Sequence, residues 1–286
     1  MMSSFPLFSV LIANYNNGIF LRVAIESVLS QSYQNWEIVI VDDKSTDDSE
    51  NVYYLYSSDE RIRVYRNDAN MGCGYTKYRC VELAHGQLCG FLDPDDILLP
   101  DALKIMVEVH QQHPEVSVVF SRFYICDDNM NVLSQNRELI TPPGFNYFIN
   151  KDYSPEHFAS FKRDCYEKTV GISKEKPRAV DQDLYFKLEE IAPCYAINKF
   201  TYKYRLHSNN ISKGQNANSA GFWNFIVRYE TCIRRGLPLD VYLYPFYQDI
   251  ILHYEGEVSK VKSGWAYRLG SIIVYPFSLL KRFFNN

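Results

Sequence analysis

Closely spaced carboxylates stand out in the segment GFLDPDDILLPD, residues 90–101. The segment opens with apolar residues typical of a buried strand and becomes acidic at Asp93, Asp95 and Asp96, with Pro94 between the first two. Carboxylates this close repel one another unless a cation joins them, and Mg²⁺ and Mn²⁺ prefer carboxylate oxygens. The segment therefore indicates either a divalent-cation site or a turn whose aspartates accept backbone hydrogen bonds. We expect Asp96 to cap the next helix.

Two further acidic pairs could take part in chemistry. Asp42 and Asp43 follow the apolar run WEIVIV, and Asp181 and Asp183 occur in VDQDLYF at the start of a predicted helix. Side chains two positions apart on a helix point about 200° from each other, so only one of this last pair can face a site. We expect Asp183 to be the N-terminal cap or a partner of the helix dipole. We expect Asp42 to cap the helix that begins near Ser45.

The elements that must position these acids alternate between strand and helix in the first part of the chain. Continuous apolar runs predict strands covered on both faces, and runs with helical spacing predict helices between them. The predicted strands are 7–13, 36–43, 62–67, 87–93 and 116–121, and the predicted helices are 19–31, 45–58, 76–86 and 100–114. This alternation indicates an α/β fold with a parallel, doubly wound sheet, whose ligands bind at the carboxyl ends of the strands. Both acidic clusters that follow strands lie at such ends.

The rest of the chain is predicted to be mixed and then helical. We expect a hairpin over 122–135, a short helix over 161–171, a helix over 180–191 and a strand over 195–207. From about residue 216 onward, helical segments rich in Tyr, Trp and Phe follow one another. We therefore expect a catalytic domain over residues 1–215 and an aromatic-rich helical extension over 216–286.

Composition narrows the class of protein. A chain of 286 residues with 47% hydrophobic residues has enough apolar side chains for a core, and its net charge of −4 argues against a nucleic-acid binder. The seven cysteines form no CxxC pair, which favours reduced thiols in a cytosolic protein. Because the first apolar run has no basic residues before it, we predict that it is a strand and not a secretory signal. No stretch reaches the roughly 20 apolar residues of a membrane-spanning helix.

The ordered motifs resemble those of the family 2 inverting glycosyltransferases, which have the GT-A fold. The resemblance extends over residues 7–212. The segments that carry it are SVLIANYN (9–16), QSYQNWEIVIVDDKSTDDS (31–49), NMGCGYTKYRCVELAHGQLCGFLDPDD (70–96), FKRDCYEKTVGI (161–172) and VDQDLYFKL (180–188). The sequence departs from the family pattern at Lys44, where glycine is more usual, at Tyr78, where asparagine is frequent, and at Val180, where glutamate is frequent.

The resemblance implies a role for each candidate site residue. It implies that Asp181 is the catalytic general base and that Asp95 and His207 bind the metal, Mn²⁺ or Mg²⁺. A carboxylate that faces an imide N–H suits uracil or thymine, so Asp43 favours a UDP-sugar. The residues implied to bind the nucleotide-sugar are Ala13, Tyr15, Asp43, Lys77, Asp93, Pro94 and Asp95.

Two of these residues have structural alternatives, and so does the C-terminal segment. Lys77 binds the diphosphate or forms a structural ion pair, and His207 contacts the diphosphate or metal or is a structural histidine. Residues 260–284 carry five basic side chains among aromatic ones and no acid. They either contact an anionic membrane or pack on the core with a solvated basic face.

The resemblance therefore implies a metal-dependent inverting hexosyl- or N-acetylhexosaminyl-transferase. It would act at the cytoplasmic face of the cell membrane, in contact through residues 259–286, and extend a polysaccharide or lipid-linked glycan of the cell envelope. A sugar-phosphate nucleotidyltransferase is one alternative, although ANYNNGIF lacks the glycine-rich basic loop of that class. A non-catalytic nucleotide- or glycan-binding relative is the other, and the retained Asp93, Asp95 and Asp181 count against it.

Overall fold

A nine-stranded mixed sheet is the framework of the computed structural model. The structure describes residues 5–139, 146–149, 155–207 and 217–243, together with residues 248, 256, 259 and 262–264. The strands are β1 (Phe8–Asn14), β2 (Trp36–Asp42), β3 (Ile62–Arg66), β4 (Leu88–Phe91), β5 (Ile97–Leu98), β6 (Val118–Cys126), β7 (Val132–Gln135), β8 (Ala159–Lys162) and β9 (Cys194–Arg205). The helices are α1 (Gly18–Leu29), α2 (Ser49–Leu55), α3 (Cys73–Leu83), α4 (Ala102–Gln112), α5 (Arg163–Tyr166), α6 (Val180–Glu189), α7 (Ala217–Arg235) and α8 (Leu239–Tyr242).

The first four strands of the chain form one parallel part of the sheet, and β6 and β9 form another parallel pair. The spatial order of the first four is β3-β2-β1-β4, and each neighbouring pair is parallel, as the strand–helix alternation predicts. The order continues through β8, β6, β9 and β5, with β7 paired to β6. Strand β8 is antiparallel to both β4 and β6, so the sheet is mixed and not parallel throughout.

Alternate residues of the central strands pack against opposite faces of the sheet. Val10 and Ile12 of β1 belong to one buried cluster, whereas Leu11 between them belongs to the other. The first cluster also receives side chains of α1 and α4, and the second receives side chains of α3 and α6. Because successive side chains of a strand point to opposite faces, a strand covered on both sides has a continuous apolar sequence.

Strand β8 lies where the sequence predicts the start of a helix. The predicted helix over 161–171 is reduced to the single turn of α5. Phe158 packs in one core cluster, whereas Ala159 and Phe161 pack in the other, which is the alternation of a strand. Both faces are covered, and β4 and β6 pair with both edges, so the extended conformation is stabilised by contacts distant in sequence.

Several element boundaries also differ from prediction. The strand predicted over 116–121 continues to Cys126 and forms the predicted hairpin with β7. The helix predicted over 45–58 is limited to Ser49–Leu55. The helix predicted over 180–191 and the strand predicted over 195–207 are present as α6 and β9.

The chain divides by its contacts into two units, residues 1–231 and 232–286. The predicted division at residue 215 stays a prediction. Within the described residues, no helix is both long enough and apolar enough to cross a membrane. Most of the basic segment 260–284 lies outside the described residues.

Candidate active site

The carboxyl ends of β1, β2 and β4 meet at one edge of the sheet. These strands are parallel neighbours, and Asn14 at the end of β1 pairs with Asp42 at the end of β2. Asp43 donates its backbone N–H to the Asn14 carbonyl at 2.8 Å. Asp93 follows two residues after β4. The predicted acidic clusters therefore lie at the ligand-binding edge of this type of sheet.

Three aspartates of the DPDD segment have three different sets of partners. Asp93 Oδ1 is 3.4 Å from Lys77 Nζ. Asp95 Oδ2 is 2.7 Å from His207 Nε2. The buried Asp96 accepts hydrogen bonds at 2.7 Å from the Tyr202 hydroxyl and at 2.7 Å from the Arg205 backbone N–H. These contacts join the segment to α3 and to β9.

Asp96 does not cap the following helix. Its carboxylate is occupied by β9, and Asp101 is at the N-cap position of α4. Burial, and then the charges of Asp95 and Asp93, raise the pKa of Asp96 well above its usual value. The predicted capping role is therefore wrong, and Asp96 instead anchors the end of β9 beside the site.

The pairing of β5 with β9 explains why His207 reaches Asp95. The two strands are antiparallel, with Ile97 opposite Lys203 and Leu98 opposite Tyr202. The residues after β9 consequently return alongside those before β5. Arg205 reinforces this arrangement because its Nε donates to the Asp95 carbonyl at 2.7 Å.

Electrostatics distinguish Asp93 from Asp95. Burial would raise the pKa of Asp93, but Lys77 and His157 outweigh it, and the pKa lies below its usual value. Burial and then the neighbouring charge of Asp93 raise the pKa of Asp95, although His207 opposes the shift. A cation beside Asp95 would offset this excess of negative charge.

The donor atoms of Asp95 and His207 fit a divalent cation whose remaining ligands come from a substrate and from water. Among the described residues, no three His, Cys, Asp or Glu side chains gather into a complete metal site. Asp95 and His207 provide a carboxylate oxygen and an imidazole nitrogen at adjacent positions. Mg²⁺ is commonly held by one or two carboxylates, with phosphate oxygens and water completing its coordination.

Asp181 joins the same group of residues through Lys77. Its two carboxylate oxygens accept hydrogen bonds from Lys77 Nζ at 2.6 and 2.9 Å. Lys77 is on α3 and Asp181 is in the first turn of α6. Gly74 allows α3 to approach the loop that precedes α6, because a Cβ at this position would lie 2.5 Å from the Ser173 carbonyl and 2.6 Å from the Lys176 carbonyl.

The contacts of Asp183 indicate a structural role. The helix begins at Val180 with Ala179 at the N-cap position, so the prediction that Asp183 is the N-terminal cap is wrong. The fully buried Asp183 forms an ion pair of 2.7 Å with Lys187, one turn along the same helix. It also accepts a hydrogen bond from the Ser173 hydroxyl at 2.7 Å. As predicted from the helix geometry, Asp181 and Asp183 point to different surroundings.

The predicted base contact, Asp43, stabilises the loop that leads into α3. Its Oδ1 accepts hydrogen bonds from Asn67 Nδ2 and the Met71 N–H, each at 2.7 Å, and its Oδ2 accepts one from the Gly72 N–H at 2.8 Å. A carboxylate offers about four lone-pair sites, so three protein donors leave one. The role toward a nucleobase stays a prediction.

The other predicted nucleotide contacts lie near this edge. Ala13 at the end of β1 is half-buried, Tyr15 just beyond it is 46% exposed, and Pro94 is buried. Asp42 accepts from the Ser45 N–H and the Tyr53 hydroxyl and pairs with Arg66. Because α2 begins only at Ser49, the prediction that Asp42 caps this helix is wrong.

His157 belongs to the site and was not found from the sequence. Its Nε2 is 3.9 Å from Asp93 Oδ2, and its ring stacks between Tyr202 and Tyr204 at centroid distances of 5.2 and 5.5 Å. His157 lies just before β8, the strand that the sequence did not predict. Without that strand, no local pattern places His157 beside Asp93.

Comparison with known proteins identifies the family. The model described as "Glycosyl transferase family 2" matches residues 9–170, more than half of the chain. The chain belongs to glycosyl transferase family 2. The matched residues contain the Asp43 loop, Lys77 and the DPDD segment, and the predicted glycosyltransferase class is confirmed.

One curated relative of this glycosyltransferase is the "Chondroitin synthase" of Escherichia coli. It is 31% identical over 217 residues, which are 72% of this chain and 30% of that protein. The chain thus spans about a third of the length of this relative. The similarity does not extend to the relative as a whole.

Solved structures confirm the predicted GT-A fold of the glycosyltransferase. The S. aureus TarS 1–349 structure, in complex with UDP-GlcNAc, has a TM-score of 0.62 and 19% identity, and the match covers 77% of this chain and 65% of TarS 1–349. The mannosyltransferase PcManGT from Pyrobaculum calidifontis, in complex with GDP-Man and Mn²⁺, has a TM-score of 0.61 and 14% identity, with coverage of 97% and 81%.

Proposed function

We propose that the protein transfers a hexosyl or N-acetylhexosaminyl group from a nucleoside-diphosphate sugar to a glycan hydroxyl, with inversion at the anomeric carbon. The observation that carries this proposal is the convergence of Asp93 and Asp181 on one ammonium group. Lys77 Nζ lies 3.4 Å from Asp93 and 2.6 Å from Asp181. A carboxylate on the nucleotide side and a carboxylate on the acceptor side are thereby held within one site.

The sugar donor is proposed to bind at the carboxyl ends of β1, β2 and β4. The TarS and PcManGT structures, with UDP-GlcNAc and with GDP-Man and Mn²⁺, support a nucleotide-sugar in a fold of this kind. The remaining acceptor site on Asp43 favours an imide N–H, and therefore a UDP-sugar. Tyr15 and Ala13 would lie along the nucleotide, and Asp93 along its ribose or diphosphate.

A divalent cation, Mn²⁺ or Mg²⁺, would be held by Asp95 and His207. When bound, it supplies positive charge that stabilises the departing diphosphate. Lys77 is the protein cation nearest to the paired carboxylates and is placed to contribute to the same charge balance.

Asp181 is proposed to act as the general base. A sugar hydroxyl is a poor nucleophile at neutral pH, so a carboxylate that accepts its proton during attack lowers the barrier. A single displacement requires the base and the leaving diphosphate on opposite faces of the anomeric carbon. Asp181 on α6 and Asp95 after β4 approach from different elements, with Lys77 between Asp181 and the DPDD segment.

The acceptor is proposed to be a polysaccharide or lipid-linked glycan at the cytoplasmic face of the cell membrane. The similarity to a polysaccharide synthase supports this acceptor class. The basic and aromatic residues of 259–286 support contact with anionic lipids.

A thermal-shift screen with UDP-, GDP- and dTDP-sugars and MnCl₂ tests the proposal. A bound ligand stabilises the native state by mass action, so we expect a UDP-sugar to raise the melting temperature only with the metal present. Release of UDP from the UDP-sugar that stabilises the protein then distinguishes an enzyme from a non-catalytic relative. Failure of every nucleotide-sugar to stabilise the protein would contradict the proposed function.

A further inference from the structure

We propose that Lys77 couples nucleotide binding to the availability of Asp181. Lys77 Nζ donates to both carboxylate oxygens of Asp181. The incoming diphosphate would draw the ammonium away and leave Asp181 able to accept a proton from the acceptor hydroxyl. This inference rests on the proposed function and assigns Lys77 as a positioning residue that acts through Asp181.

The contacts of Lys77 are unequal in length. Its Nζ forms two short hydrogen bonds to Asp181, of 2.6 and 2.9 Å, and one long contact of 3.4 Å to Asp93. The Lys77 side chain is 7% exposed, whereas Asp93 and Asp181 are each 30% exposed. The ammonium is therefore enclosed, whereas both carboxylates remain partly exposed and open to ligands.

The surroundings of Lys77 favour an exchange of partners. Its Nζ lies 4.9 Å from the centre of the Phe91 ring, so an apolar wall limits screening by water on that side. A lysine carries its charge on a flexible four-carbon stem and can redirect its three N–H donors. A diphosphate placed along Asp93 would add at least one negative charge on the side where Lys77 already has its long contact.

The second buried lysine–aspartate pair on α6 lacks this freedom. Lys187 Nζ contacts Asp183 at 2.7 Å and also donates to the Gly171 carbonyl and the Ser173 hydroxyl, each at 2.9 Å. Asp183 is 1% exposed, so no ligand can compete for Lys187 through it. Both pairs join a lysine to an aspartate in the first turn of α6, but only the Lys77 pair faces an open site, which makes Asp183 a matched control.

The exchange implies an order of binding. Before the sugar donor binds, an acceptor hydroxyl must compete with the Lys77 ammonium for Asp181. After the diphosphate takes the ammonium, that competition is removed. We therefore expect the sugar donor to bind first and the base to become available only in its presence.

A double-mutant cycle on nucleotide binding tests this coupling. Binding of UDP, GDP and dTDP with MnCl₂ is measured by titration calorimetry on the wild type, Asp181→Asn, Lys77→Met and the double variant. We expect Asp181→Asn to tighten binding of the preferred nucleotide by about tenfold, because Lys77 no longer has to leave a carboxylate. In the Lys77→Met background, the same substitution should change the dissociation constant by less than about threefold.

Further variants separate this coupling from general effects. Lys77→Arg should retain the tightening by Asp181→Asn, since it keeps the positive charge. Asp183→Asn should leave nucleotide affinity unchanged. If Lys77→Met does not fold, Lys77→Gln takes its place in the cycle.

Two results would overturn the inference while leaving the proposed function intact. One is unchanged nucleotide affinity in Asp181→Asn. The other is equal tightening with and without Lys77, which would mean that removal of a negative charge is sufficient by itself. A wild-type protein that binds none of the three nucleotides would overturn both the inference and the proposed function.

Discussion

His207 Nε2 lies 2.7 Å from Asp95 Oδ2, although the two residues are 112 positions apart in the chain. The antiparallel pairing of β5 with β9 brings them together. A carboxylate oxygen and an imidazole nitrogen in contact can share a proton or, with phosphate oxygens, a divalent cation. This pair is therefore where metal dependence should be tested first.

Asp95→Asn should abolish manganese-dependent UDP binding while leaving the fold intact. The amide keeps the size of the side chain but removes the negative charge that a hard cation requires. Titration calorimetry with UDP, with and without MnCl₂, measures the effect. Asp59→Asn is the control. It makes the same substitution just before β3, at the amino ends of the parallel strands, and should retain binding. Unchanged metal-dependent affinity in Asp95→Asn would remove Asp95 from the metal site.

Sequence periodicity predicted the parallel part of the fold because its central strands, β1, β2 and β4, are buried on both faces. The apolar runs of β1, β2 and β4 follow directly from that burial. Strand β8 was missed because its sequence is short and its partners, β4 and β6, lie far away in the chain. A local sequence pattern carries no information about pairing with strands that are distant in the chain.

The candidate site, like the fold, could be predicted only in part. The residue types in DPDD and VDQD indicate carboxylates that could take part in chemistry, and the resemblance to the family implies a role for each. Their partners could not be predicted, because the Lys77–Asp181 contact spans 104 positions and depends on the packing of α3 against α6. His157 was missed for the same reason, since it reaches Asp93 only through β8.

His110 should make the folded state less stable at acidic pH. This residue on α4 is fully buried, with Nε2 3.0 Å from the Ser160 hydroxyl, and burial followed by the charge of Lys162 lowers its pKa to about 3. The unfolded chain takes up a proton near pH 6.5, which the folded state resists. The contribution is therefore fully present above about pH 6.5 and declines toward about pH 3.

The change in unfolding free energy from this one group should approach about 1.4 kcal/mol per pH unit. Urea unfolding between pH 7 and pH 5 measures it as the difference between the wild type and His110→Gln. The glutamine amide retains a group that can contact Ser160 but does not titrate. Equal pH dependence in the two proteins would show that His110 does not contribute.

Deletion of residues 259–286 should release the protein from anionic vesicles at moderate salt. The basic residues of this segment attract anionic lipid headgroups, and that attraction is screened by salt. Co-sedimentation with vesicles that contain phosphatidylserine measures binding, and neutral phosphatidylcholine vesicles are the control. If the truncated protein remains bound, the membrane contact lies elsewhere. If it unfolds, the segment packs on the core.

Asp181→Asn should bind the nucleotide at least as tightly as the wild type and lose sugar transfer. The amide cannot accept the proton of the acceptor hydroxyl, and loss of a general base lowers the rate by roughly 10²–10⁴-fold. The measurement is UDP release from the UDP-sugar selected by the binding screen. A rate close to that of the wild type would contradict the role of Asp181.

Asp183→Asn is the matched control for this last prediction, because the two aspartates are on one turn of α6 and each pairs with a buried lysine. Removing the charge of Asp183 leaves Lys187 without its anion, which should lower the free energy of unfolding by about 3 kcal/mol. The chemical step should persist in the protein that remains folded. If a folded Asp183→Asn variant lost transfer while Asp181→Asn remained active, the roles of the two aspartates would be the reverse of those proposed. Urea unfolding and UDP release on the same preparations distinguish these outcomes.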